Sequence, residues 1–230
     1  MHHLLEAEPV AMEVDRLSPD AHRYRRPWMT DGVSALPARE EVLALLNEWV
    51  QAEPLRRHCL AVEAAMRDQA RRRGADEELW GLAGLLHDLD YERHPDAATG
   101  HPRMAMAELE RRGYPAELIR AVASHADYMD LARESEMERA LAALDELSGF
   151  VLACAYVRPE GLAGMTAKSV RKKLKQPSFA AAVNREDVAR GAQELGVELD
   201  ELIGEVIGAL SERAAALGLE AGRRRPGGER

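Results

Sequence analysis

The feature that most constrains the fold is a succession of apolar patterns with helical spacing, each bounded by helix start and stop signals. One apolar set recurs three or four positions apart, at Leu55, Cys59, Val62 and Met66. This spacing places its members on one face of a helix. Pro54 precedes the set and Gly74 follows it, and these positions are typical of helix ends. We therefore expect one long helix between them.

The same signals predict helices on both sides of this one. The expected segments are residues 38–50, 77–88, 102–113, 115–125 and 136–157, one helix capped by Asn184, and one amphipathic helix after Asp200. Asp76 is an expected cap, and Ser135 with Glu138 has the pattern of a capping box. No segment alternates as a strand does, and with three Ile, three Thr and 4% aromatics the chain lacks strand-favouring residues. The predicted fold is all-α, a helical bundle.

The two ends of the chain have a different composition from the middle. Prolines and glycines interrupt residues 1–37, which we interpret as an irregular N-terminal extension. Residues 38–218 form the predicted helical domain. Residues 219–230 are rich in arginine and glycine and are interpreted as a flexible polar tail.

Charge and hydropathy exclude several classes of protein. The net charge of −9 argues against dedicated binding of nucleic acid or of a membrane surface. Apolar runs such as residues 150–157 are far shorter than the roughly 20 residues that cross a bilayer. The first 15 residues lack the apolar core of a secretory signal. Two cysteines, Cys59 and Cys154, are too few for a disulfide scaffold, so free thiols and a cytoplasmic location are expected.

Histidine and aspartate residues in apolar helices are the chemical signal. Asp145 lies in an apolar stretch, and the His87-Asp88 doublet ends another. A carboxylate there is costly to bury unless it is paired or binds a metal. Together with His58, His101 and His125 they form an ordered series on successive predicted helices. Such ligands suit Mn, Fe, Co, Zn or Ni, whereas His2, His3, His22 and His94 are expected to be ordinary histidines.

These motifs resemble the HD superfamily of metal-dependent phosphohydrolases. The family has a histidine, then a His-Asp doublet at the end of an apolar helix, then a distant aspartate. The matching segments are LRRHCLAVE around His58, GLLHDLDYE around His87-Asp88, and LAALDELSG around Asp145. The resemblance implies that these four side chains bind a divalent metal, with Asp88 central to catalysis.

Two further histidines resemble the dinuclear HD subgroup. His101 in GHPRMAMAEL and His125 in AVASHADY match its extra histidines. The resemblance then implies a six-ligand site in which Asp88 bridges two ions. With a single metal, His101 and His125 would instead support the site or contact the substrate. One or two divalent ions per chain are therefore expected.

The source of phosphate-binding charge departs from the family pattern. Many relatives carry a lysine shortly after the doublet, where this chain has Leu89-Asp90-Tyr91-Glu92. Candidate substrate contacts elsewhere are Arg57, Lys168, Arg171 and Lys172. The last three belong to the densest basic run of the chain, which is equally typical of a solvated helix face.

The expected function is metal-dependent hydrolysis of a small phosphorylated substrate, such as a nucleotide monoester or diester, by a metal-activated water. Two alternatives stay open. One is a di-iron oxygenase on the same scaffold, and the other is a non-catalytic helical regulatory domain. Residues 180–188 and the final helix are also a candidate surface for homo-oligomer formation.

Overall fold

The computed structural model describes residues 36–219, and within them it has nine α-helices, one short 3-10 helix and no strand. The α-helices are α1 (Arg39–Trp49), α2 (Glu53–Arg73), α3 (Glu77–Leu86), α4 (Arg103–Arg111), α5 (Ala116–His125), α6 (Glu136–Tyr156), α7 (Ala167–Leu174), α8 (Arg185–Leu195) and α9 (Leu199–Glu212). The 3-10 helix is Asp127–Met129. The predicted all-α fold is confirmed.

Most predicted helix ends agree with the structure because the end signals act locally. Gly74 follows α2 with a left-handed φ of 65°, a conformation in which glycine has no steric penalty. The side chain of Asp76 accepts a hydrogen bond from the backbone N–H of Leu79, and Asn184 caps α8 in the same way. The helix predicted to end near Asp88 ends instead at Leu86, so the doublet lies in the turn that follows.

Two elements differ from the sequence prediction. Helix α7 was not among the expected segments, although its basic run was interpreted as typical of a solvated helix face; its N-terminal box joins Thr166 to Ser169 and not to the usual Glu or Gln. At the start of α6, Ser135 accepts from the backbone N–H of Glu138 as predicted. The Glu138 carboxylate, however, accepts from the backbone N–H of Glu134 and from the hydroxyl of Ser135. Only the reciprocal bond of the predicted capping box is thus shifted, from the backbone of Ser135 to that of Glu134.

Helices α2 and α6, each 21 residues long, form the centre of the bundle. Helix α3 packs along α2, while α5, α8 and α9 pack on α6. Glycines permit the closest approaches. A Cβ at Gly84 would lie 2.9 Å from the carbonyl oxygen of Val62 in α2, and one at Gly191 would lie 2.6 Å from Cα of Ala143 in α6. The core between these helices is aliphatic, with Phe150 fully buried in it.

The predicted N-terminal extension and polar tail fall outside the described residues, apart from residues 36, 37 and 219. No helix within residues 36–219 is long and apolar enough to span a membrane.

Candidate metal centre

The histidines and aspartates of the ordered series come together at one place in the bundle. His58 lies in the second turn of α2, the His87-Asp88 doublet directly follows α3, and His125 is the last residue of α5. His101 stands just before α4, and Asp145 lies near the middle of α6. Their convergence depends on how five segments pack, and not on spacing within any one of them.

One half of the centre contains His58, His87 and Asp145. The Nε2 atom of His58 lies 2.9 Å from Oδ1 of Asp145 and 3.1 Å from Nε2 of His87. The Nε2 atom of His87 is also 3.4 Å from Oδ1 of Asp145. Two atoms that share one divalent ion, each about 2.1 Å from it, lie about 3 to 3.5 Å apart. The spacing therefore fits a single ion among these three side chains.

The carboxylate of Asp88 lies between the two halves of the centre. Its Oδ2 atom is 3.4 Å from Nε2 of His87 and 3.7 Å from Nε2 of His58. Its Oδ1 atom is 3.5 Å from Nε2 of His101 and 3.7 Å from Nε2 of His125. The two oxygens thus face different histidine pairs, which is the arrangement of a carboxylate that bridges two ions.

The histidine rings are oriented by bonds on their far side. The Nδ1 atom of His87 lies 2.8 Å from the carbonyl oxygen of Gly84, and that of His125 lies 2.5 Å from the carbonyl oxygen of Val122. A carbonyl oxygen only accepts, so each Nδ1 carries a hydrogen and the Nε2 atom of each ring faces the centre. Outer partners of this kind are typical of metal-binding histidines.

His101 has a charged outer partner that was not predicted from the sequence. Its Nδ1 atom lies 2.7 Å from Oδ1 of Asp90, which is fully buried. The other oxygen of Asp90 accepts from the backbone N–H of Ala105 at 2.8 Å. The only sequence signal was an aspartate two residues after the doublet, and it gave no indication of this pairing.

The chemistry of the donor set fits a bound cation. The Nε2 atoms of His58 and His87 lie 2.9 to 3.7 Å from each other and from oxygens of Asp88 and Asp145. Acceptor atoms that crowd together in this way repel one another unless a proton or a metal ion lies among them. The residues present therefore fit the divalent metals that such ligands prefer.

The electrostatics of the centre agree with that requirement. Burial works against a charged His87, but the carboxylates of Asp88 and Asp145 outweigh it and raise its pKa well above the usual range. Burial likewise works against a charged Asp88, yet the neighbouring histidines, His87 foremost, hold its pKa well below the usual range. The pKa of Asp145 is lowered for the same reason. The surroundings thus favour positive charge among ionised carboxylates.

Small residues make room for the centre. Gly149 lies one turn after Asp145 in α6, and a Cβ there would be 3.3 Å from Nδ1 of His58.

Cys59, next to His58 in sequence, is fully buried in the core, and burial raises its thiol pKa to about 12. A buried thiol with a raised pKa is typical of a packing residue and not of a nucleophile.

A cavity of about 470 Å³ opens onto the centre. Five of the ordered series line it, namely His58, Asp88, His101, His125 and Asp145, while His87 lies buried behind them. The remaining wall is contributed by the turn after α3, the 3-10 helix, α6 and α8. Its volume lies in the range of sites for small molecules.

The basic side chains that line the cavity are not the ones predicted from sequence. Within residues 36–219, the arginines that line the cavity are Arg133 and Arg190, and both pair with Asp127. Arg133 also donates to the carbonyl oxygens of Ser124 and His125, at 3.1 and 3.4 Å. It therefore ties down the C-terminal end of α5, from which His125 projects.

The four predicted substrate contacts lie elsewhere, since none of them is among the residues that line the cavity. Arg57 points away from His58 because neighbours on a helix face different directions, and it pairs with Glu53 and contacts Tyr156. Lys168, Arg171 and Lys172 lie on α7, where Arg171 pairs with Asp200 at 3.3 Å.

Comparison with protein families identifies this region. Residues 55–150 match the family model described as the HD domain, and all six converging residues fall inside this stretch. No curated protein and no solved structure gave a significant match. HD domains typically bind divalent metals and carry hydrolase-like, metal-dependent functions, and the His/Asp clusters are compatible with such a site.

Proposed function

We propose that this protein is a metal-dependent phosphohydrolase that acts on a small phosphorylated substrate, with two divalent ions in the centre. The observation that carries the proposal is the Asp88 carboxylate, whose two oxygens face separate histidine pairs. His58, His87 and Asp145 would hold one ion and His101 with His125 the other, with Asp88 shared. Such ions lower the pKa of a water towards neutrality and neutralise charge on phosphoryl oxygens.

The charges around the cavity support an anionic substrate only if cations are present. Carboxyl groups among the lining residues outnumber guanidinium groups, with Asp88, Asp127, Asp145, Glu146 and Asp187 against Arg133 and Arg190. Both arginines are already paired with acidic side chains. An anionic ester would be repelled by this wall unless divalent ions reversed the charge at the centre.

The chain's own residues would present a fixed arrangement of side chains to the substrate. His87, His101 and His125 are held by buried partners behind them, so they need little rearrangement when the substrate enters. No side-chain nucleophile is required, and Cys59 is buried and protonated. We infer direct attack by water on the phosphorus of a monoester or diester, in which the P–O ester bond breaks and the alcohol leaves with a proton that the water supplies.

Metal content and hydrolysis would be measured together to test the proposal. The purified chain would be analysed for metals, loaded with Mn²⁺, and assayed against phosphomonoesters and phosphodiesters. We expect about two ions per chain and phosphate release. Asp88→Ala should lose most bound metal and all hydrolysis with little change in helical circular dichroism, whereas Asp200→Asn on the surface should retain both.

Two results would contradict the proposal. Full activity of Asp88→Ala would exclude the centre as the site of the reaction. Tightly held iron together with substrate-dependent O₂ consumption, and no phosphate release, would favour the oxygenase alternative.

A further inference from the structure

Two tyrosines at the mouth of the cavity stand out by their exposure. Tyr91 is 49% and Tyr128 is 48% exposed, and both line the cavity. The other Phe, Trp and Tyr side chains of residues 36–219 are buried or partly buried, namely Trp49, Trp80, Tyr114, Phe150, Tyr156 and Phe179. In the described part of the chain, the exposed aromatic rings are therefore confined to the opening of one cavity.

Both rings are fixed relative to the metal centre. Their centroids lie 5.2 Å and 6.4 Å from that of His101, in edge-to-face arrangements. The hydroxyl of Tyr128 donates to the carbonyl oxygen of His101 at 3.1 Å, and the backbone N–H of Tyr91 donates to the carbonyl oxygen of Asp88 at 3.1 Å. Each tyrosine is thus anchored to a residue of the centre while its ring remains accessible.

The space beside these rings is available to a ligand. Several lining residues are small, namely Ala126, Ala142, Gly149, Ala182 and Gly191. The volume of about 470 Å³ exceeds what a phosphate group alone needs. A flat ring that covers exposed aromatic surface is bound favourably, because ring faces and edges are electrostatically complementary.

We propose that Tyr91 and Tyr128 form a ring-binding subsite for the flat, unsaturated ring of the substrate, with the chemistry of a nucleobase. The position of the phosphate rests on the proposed function, whereas the ring contact does not depend on it. The carboxylates of Asp127 and Asp187 line the same cavity and both pair with Arg190, and their remaining lone pairs can accept hydrogen bonds from exocyclic amino groups. These features favour a ring with amino substituents over a bare sugar phosphate.

Matched substrates test the subsite. Adenosine 5′-phosphate and ribose 5-phosphate share the phosphate and the sugar and differ in the ring. With the Mn²⁺-loaded full chain, we expect kcat/KM to be higher for the nucleotide. Tyr91→Leu and Tyr128→Leu should each reduce this preference by about 10-fold, the scale of a lost ring stack. Tyr91→Phe and Tyr128→Phe keep the ring and should retain the preference. Circular dichroism and thermal melting would check that all four variants fold.

Binding of unphosphorylated adenosine and cytidine separates this proposal from the proposed function. Calorimetric binding that the leucine variants lose and the phenylalanine variants keep would support the subsite even if no ester were hydrolysed. Equal preference for the two phosphates in wild type and leucine variants would overturn the subsite while leaving the phosphohydrolase intact. Absence of binding by adenosine, cytidine and adenosine 5′-phosphate would overturn it as well.

Discussion

Asp90 holds His101 through a hydrogen bond of 2.7 Å between Oδ1 and Nδ1, in a position where the aspartate is fully buried. The second oxygen of Asp90 accepts from the backbone N–H at Ala105, at the start of α4. The carboxylate therefore connects the turn after α3 to the helix that follows His101. A buried carboxylate behind a histidine fixes the ring and makes the nitrogen that faces the centre, here Nε2 of His101, a stronger ligand.

Replacing this carboxylate should weaken one half of the centre selectively. Asp90→Asn removes the carboxylate charge. Its amide N–H₂ would then face another donor, either the backbone N–H of Ala105 or the Nδ1–H of His101. We expect the affinity of the His101 and His125 half for Mn²⁺ to fall by about 10- to 100-fold. At limiting metal the chain should then hold about one ion. Metal titration followed by elemental analysis checks this, and two ions with unchanged affinities would contradict it.

The two histidines of that half should behave alike. His101→Ala and His125→Ala each remove a proposed ligand from the same half of the centre. We expect each variant to bind about one ion per chain instead of about two. Retention of two ions in both variants would show that these side chains are not ligands. His94→Ala is the matched control, because His94 lies outside the cavity.

Arg133 should contribute to both stability and metal binding. Its guanidinium donates to the carbonyl oxygens of Ser124 and His125 and pairs with Glu194 at 3.0 Å. Arg133→Ala should lower the free energy of unfolding by about 1–2 kcal/mol, since charged hydrogen bonds to partly buried groups are lost. It should also weaken binding of the second ion by loosening the end of α5. Urea denaturation and Mn²⁺ titration measure the two effects, and unchanged values for both would disprove this role.

The contact between α2 and α3 should tolerate no side chain at Gly84. A Cβ there would lie 2.9 Å from the carbonyl oxygen of Val62 and 3.0 Å from the backbone nitrogen of Glu63. Gly84→Ala should therefore destabilise the fold by about 1–3 kcal/mol. Gly204 in α9 has nothing within 4 Å of such a Cβ, so Gly204→Ala should stabilise by about 0.5–1 kcal/mol.

Comparing these two glycine variants isolates the steric effect. Both substitutions restrict the unfolded chain in the same way, so the difference between their unfolding free energies reports the close approach at Gly84. If urea denaturation gave the same change in unfolding free energy for Gly84→Ala and Gly204→Ala, α2 and α3 could move apart without an energetic cost. Because Gly84 also accepts from His87, its alanine variant should bind metal less tightly.

Metal binding should stabilise the fold. A ligand that binds only the folded chain adds about 2.7 kcal/mol at a free concentration 100 times its Kd. Mn²⁺ added to chelator-treated protein should therefore raise the melting temperature of the wild type. Asp88→Ala should show no such rise, and an equal rise in that variant would locate the binding elsewhere.

Local signals allowed much of the fold to be predicted from the sequence. Helix ends at Gly74, Asp76 and Asn184 depend on hydrogen bonds and φ angles within a few residues, so they are legible along the chain. Helix α7 was not among the expected segments, and Ser169 closes its N-terminal box in place of the usual acidic residue or glutamine.

For the site, sequence order and the family resemblance indicated which residue types to expect. The series from His58 to Asp145 predicted a shared centre, and the structure brings these side chains within 4 Å of one another or of Asp88. That these side chains bind metal remains a prediction. The basic run around Lys172 predicted substrate contacts, but α7 faces elsewhere in the bundle.

The sequence by itself determined the helical class, most helix ends and the residues with metal-binding chemistry, because each of these depends on near neighbours. Only the tertiary structure decided that Asp90 stands behind His101, that Arg133 and Arg190 line the cavity, and that Tyr91 and Tyr128 flank its opening. These relationships join segments from different helices and turns. They are set by how α2, α3, α5, α6 and α8 pack, and no spacing along the chain encodes that packing directly.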